Sequence, residues 1–248
     1  MSTTSTIILN QRVDPYVEAG QPAGRNMIQT IGHYLWGPMT LMGFMLVITA
    51  FALSVARAQL SVDLSEQFTA VRKANFETIG QLIPGFMFLG FAFILAGISF
   101  AIARILGAFR VGGGMVQGAA GPRVKTMIMP TTAWIFLGGM MMAMMLLVFA
   151  FAGHVYAAVQ AHEAWINATG PNAPDAPFLG RAETWGTWLE GIRRLGIGMY
   201  LASIVFGLTT ITKAIRFQTL RIRELAAERQ AGAAGTLYPR VRSQRCDW

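Results

Sequence analysis

The sequence predicts an all-α integral membrane protein: four transmembrane helices in a bundle, with an amphipathic outer segment and a basic cytoplasmic helical extension. Three observations point there. Hydrophobic residues make up 54% of the chain and charged residues only 13%, where an ordinary soluble domain carries about 25% charged residues. Four apolar stretches each reach the roughly 20 helical residues needed to cross a bilayer core about 30 Å thick. The 20 Lys and Arg residues lie almost wholly outside those stretches. The net charge of +8 therefore reads as the positive-inside bias of a membrane protein, and no nucleic-acid partner is expected.

Residues 1–36 form an N-terminal tail. Its opening, MSTTSTIILNQRVDPYVEAGQ, lacks a basic stretch followed by an apolar one. No cleaved signal peptide is expected, and the first span serves as the insertion signal. The transmembrane domain is expected over 37–230, with spans at about 37–56, 84–109, 131–159 and 195–212, followed by a basic, loosely structured tail over 231–248.

Between spans one and two, residues 59–79 place Leu60, Leu64, Phe68, Val71 and Ile79 near one helical face, with Asp63, Glu66, Arg72 and Lys73 mostly elsewhere. Two readings stand: an amphipathic helix on the outer surface or under a partner, or a helical extension of span one. The connection RVGGGMVQGAAGPRV, residues 110–124, does not match a phosphate-binding loop and reads as a flexible cytoplasmic turn. The third connection, 160–191, carries Pro171, Pro174 and Pro177 in a middle expected to be non-helical. Its flanks, HEAWINA and ETWGTWLEGI, read as interfacial segments anchored by tryptophan. The sequon at Asn167 is taken as chance.

Orientation follows from the cations. Fourteen of the 20 Lys and Arg lie in the N-terminal tail, the second connection with its flank, and the C-terminal region. Only Arg57, Arg72, Lys73, Arg181, Arg193 and Arg194 lie on the other side, with seven acidic residues. Both termini are therefore expected in the cytoplasm, in a multi-pass protein of a bacterial inner membrane. Arg193 and Arg194, at the outer mouth of span four, dissent. Beyond that span, KAIRFQTLRIRELAAERQ reads as a basic helix projecting inward. Arg216, Arg221, Arg223 and Arg229 are its candidate contacts for anionic lipid headgroups or a partner, worth about 1 kcal/mol per cation near the surface.

Chemistry is sparse. No Asp, Glu or Lys occupies the middle of a span, and Arg104 lies where its stem can snorkel to the headgroups. His33 and His154 belong near opposite faces and cannot share a haem iron. His154, His162 and Glu163 make an outer-side metal site only if the helix breaks between the two histidines. The methionines at 140, 141, 142, 144 and 145 point around a helix and read as adaptable apolar packing, not as a copper site. Cys246 has no partner for an internal disulfide or a metal framework. Small residues four apart (Ala92 and Ala96, Gly97 and Ala101, Gly139 and Ala143, Gly198 and Ala202, Ser203 and Gly207) suit close helix packing.

No catalytic, cofactor-binding or metal-binding residue is assigned. The expected function is that of a non-catalytic, accessory or structural subunit of a larger membrane-bound complex, in contact with lipid and with other membrane subunits. Two alternatives are a redox or metal-binding protein using the outer histidines, and a small carrier or channel for a neutral solute, with a polar cavity between spans lined by Ser99, Thr132, Ser203 and Thr209.

Overall fold

The computed structural model describes residues 16–19, 27–120, 124–127, 130–168 and 173–237. In chain order these form strand β1 (Tyr16–Ala19), helix α1 (Met27–Glu66), helix α2 (Ala70–Ala120), strand β2 (Val124–Met127), helix α3 (Thr131–Ile166) and helix α4 (Ala176–Leu237). All four helices are long and apolar enough to cross a membrane, and each expected span lies inside one of them. The shortest, α3, has 36 residues, about 54 Å at 1.5 Å per residue, so every helix is longer than the apolar layer is thick.

The chain divides into two compact units, one built from residues 27–104 and 131–208, the other from the remainder. In the first, the four helices share a core. Ala92 and Ala96 of α2 meet Ala143 and Leu147 of α3 and Tyr200 of α4, with Met39 of α1 packed against them. Small residues set how closely the backbones approach. A Cβ on Gly43 of α1 would lie 2.7 Å from the Gly90 carbonyl of α2, and one on Gly90 would lie 2.9 Å from the Gly43 carbonyl. Gly97 packs on Thr40 and Trp36, Gly139 on Ser203, and Gly207 on Phe136. Gly198, by contrast, faces open space. Met140 and Met144 pack against the shared core, whereas Met141, Met142 and Met145 are exposed.

Segment 59–79 is not one helix. α1 continues to Glu66, the chain breaks helix at 67–69, and α2 begins at Ala70. HEAWINA is the last turn of α3 and its exit, and ETWGTWLEGI lies within α4. Pro177 is helical, contrary to expectation, because it sits in the first turn of α4, where its missing N–H has no intrahelical duty. Pro171 and Thr169 of the sequon lie outside the described residues, as do Arg12, Arg25, Arg123 and Cys246.

The second unit departs most from the sequence reading. Residues 110–120, expected as a flexible turn, continue α2. Gly113 lies so close to Gln218 of α4 that a side chain there would displace it. Glycine costs about 1 kcal/mol in a helix; here its missing side chain lets α4 pack against α2. The chain then forms β2, which pairs antiparallel with β1 in a register from Tyr16 opposite Met127 to Ala19 opposite Val124. This two-stranded sheet adds to the expected all-α fold. α4 runs on to Leu237, so residues 231–237 are helical, while 238–248 lie outside the described residues. The composition AGAAGTL supplies the alanines that favour this extension.

Candidate functional site

The densest set of buried charges lies in the second unit. Along α4, Phe217, Arg221, Glu224 and Leu225 fall on one face, spaced four, three and one residues apart, and all four are buried. That face meets the C-terminal turns of α2, which contribute Gln117, and strand β2, which contributes Lys125; both are buried as well.

Gln117 acts on β2 as a neighbouring strand would. Its Oε1 accepts from the Lys125 N–H at 2.9 Å, and its Nε2 donates to the Lys125 carbonyl at 3.2 Å. The same Oε1 accepts from Arg221 Nε at 3.4 Å. The charges then close on Glu224. Lys125 Nζ lies 2.9 Å from one carboxylate oxygen and Arg221 lies 2.8 Å from the other, while Glu228 approaches Arg221 at 3.6 Å. Burial pushes the Glu224 carboxyl up, but hydrogen bonds from Lys125 and Arg221, with their positive charges, outweigh it and hold the group below the usual carboxylate range. The cluster ties α2, β2 and α4 together. With both Glu224 oxygens facing a cation, its chemistry is that of a staple.

The four arginines grouped from sequence separate here. Arg216, Arg223 and Arg229 are exposed, and Arg229 donates to the Ala119 carbonyl of α2 at 3.4 Å. Arg221 is 2% exposed and is engaged by Glu224. It is therefore turned away from any headgroup or partner that meets the outer face of α4. Sequence reading also missed Gln117, Lys125 and Glu224. The available signal was Glu224 itself, one of two acidic residues in the otherwise basic stretch 213–230 and on the Phe217 face.

In the first unit, α3 is unbroken from Thr131 to Ile166. The helix break required for a metal site at His154 and His162 is absent, and the two stand eight residues apart, about 12 Å along the axis. His154 is buried against Gly85 of α2. His162 Nδ1 lies 3.3 Å from Thr78 Oγ1, and Glu163 accepts from Asn167 at 3.3 Å. Among the described residues no group of three or more His, Cys, Asp or Glu is placed to hold a metal ion.

Of the polar side chains proposed to line a solute path, Ser99 and Ser203 are buried, and their hydroxyls bond the carbonyls of Leu95 and Met199 on their own helices. Thr132 is half-buried and Thr209 exposed. The two dissenting arginines at the mouth of span four have local partners. Arg193 stacks on the Phe88 ring at 4.8 Å, and Arg194 pairs with Glu190 one turn back. Arg104 rests over Trp36 at 5.3 Å.

Comparison with protein families, with curated proteins and with solved structures finds no match to this chain.

Proposed function

We propose that the chain is a non-catalytic subunit of a larger membrane-bound complex, seated in a bacterial inner membrane with both termini in the cytoplasm. One observation carries this reading. Where α2 and α4 enter sequence dense in Lys and Arg, they still expose large apolar side chains: Met115 at 61%, Val116 at 54% and Ile222 at 51%. Val116 and Ile222 line one groove, and exposed apolar surface of this kind marks a contact site; its place beyond the expected spans favours protein over lipid. The polar groups favour the same reading. Lys125 and Arg221 are paired with Glu224 and Glu228, and the buried serines bond their own backbones. None of them presents a nucleophile, a general base or a vacant ligand.

Extraction in a mild detergent followed by native mass measurement tests the proposal. The expected result is a particle heavier than one chain plus its detergent, containing at least one other subunit in fixed ratio. A well-behaved monomer from membranes solubilised under several conditions overturns it.

A further inference from the structure

A groove of about 540 Å³ opens in the second unit, lined by Val116 and Ala119 of α2 and by Ile222, Leu225, Ala226 and Arg229 of α4. The α4 residues follow the i, i+3, i+4, i+7 spacing of a helix-packing face. On that side of the helix the pattern is apolar, with one exposed cation at its end. The volume lies within the roughly 300–1,000 Å³ that buries a ligand or a row of anchoring side chains.

We infer that this groove receives an amphipathic helix of a partner protein, one carrying a carboxylate at the edge of its apolar face. This rests on the reading of the chain as a subunit of a complex and names the chemistry of the partner. Position argues against lipid. Ile222 lies ten residues past Thr212, where the expected span four ends, about 15 Å further along the helix, whereas each headgroup layer adds only roughly 5–8 Å to the apolar core. Charge argues for an acidic partner. Arg229 stands in the groove, and Arg216 and Arg223 are exposed on the same helix. The two acidic residues of this stretch, Glu224 and Glu228, face Arg221. An apolar stripe with a basic end is the complement of an amphipathic helix with an acidic flank, and helix-in-groove recognition reads such anchors at one-turn spacing.

The test uses the full chain in its native membrane, with a photo-reactive amino acid in place of Ile222 and the crosslinked peptide sequenced. The expected product joins this position to an acidic amphipathic helix of another subunit. Arg229→Glu is expected to lower recovery of that subunit by about tenfold or more, and a Lys in place of the partner's carboxylate is expected to restore it. Arg229→Lys, which keeps the positive charge at the end of the groove, is expected to leave recovery unchanged. A crosslink to lipid, to a second copy of this chain or to a helix without acidic residues overturns the inference. So does full recovery of every subunit with Arg229→Glu. In those cases a heavy native particle leaves the subunit reading standing; a monomeric particle removes both.

Discussion

Glu224 is held between two cations in a place water does not reach, with Lys125 at 2.9 Å and Arg221 at 2.8 Å. Removing one member of a buried ionic cluster costs about 3–5 kcal/mol, because the partners stay buried without compensation. Glu224→Gln is therefore expected to lower the thermal midpoint in mild detergent and to expose the Lys125 amide to hydrogen exchange. The pH dependence has a definite sign. The folded carboxyl titrates below its unfolded value of about 4.3, so in that window the unfolded chain binds more protons. The stabilisation is complete above about pH 4.3 and is lost as pH falls through the folded value. Accordingly, the difference in midpoint between wild type and Glu224→Gln should be constant near neutrality and shrink in acid. A constant difference down to pH 3 would show that the carboxylate is not what the cations stabilise. Gln117→Ala tests the neutral part of the cluster. It leaves the Lys125 N–H and carbonyl without their side-chain partner, at a cost of about 1–3 kcal/mol for each buried group left unpaired. Exchange at β2 should rise while the spans stay protected.

At the scale of helices, the apolar runs made the spans legible because a 20-residue stretch without charge has few other solutions in water. The small-residue contacts were only partly legible. Ala92, Ala96, Gly139 and Gly207 do lie at helix contacts, yet Gly198 faces open space, and Gly43 and Gly90, which pack against each other's backbone, share no four-residue motif. A motif along one helix does not say which face meets a neighbour. Two substitutions separate these cases. Gly43→Ala places a methyl 2.7 Å from the Gly90 carbonyl, and such overpacking costs about 1–3 kcal/mol. Gly198→Ala meets nothing within 4 Å and relieves a helical glycine, a gain of about 0.5–1 kcal/mol. The melting midpoints should move in opposite directions. The glycines of 110–120 misled for the same reason. They read as a turn because glycine frees the backbone, whereas at Gly113 what matters is the missing side chain beneath Gln218. The β1–β2 pair was invisible because it joins segments far apart in sequence through strands of only four residues; the Gln117–Lys125 bonds are local, but a flexible turn over 110–120 offers no helix to aim the Gln117 side chain at a strand.

For the whole molecule, topology is the claim on which partner and lipid assignments both rest. Fourteen cations against six favour inward-facing tails, and the outer arginines weigh less than their number suggests. Arg193 lies on Phe88 and Arg194 on Glu190, so both have partners within the protein on whichever side they lie. The single cysteine allows a direct test, since Cys246 follows the α4 extension and no other thiol competes. A membrane-impermeant maleimide should leave Cys246 unmodified in intact cells and label it once the membrane is opened. The reverse pattern is expected for a Cys246→Ser chain carrying Gln67→Cys, because Gln67 is exposed in the break between α1 and α2. Four crossings require positions 67 and 246 to lie on opposite sides, so labelling both from outside would contradict the four-span fold itself. Labelling of Cys246 alone would preserve the fold but turn it over. It would carry the Arg229 groove to the outer face, and the subunit meeting that groove would then have to be sought outside the cytoplasm.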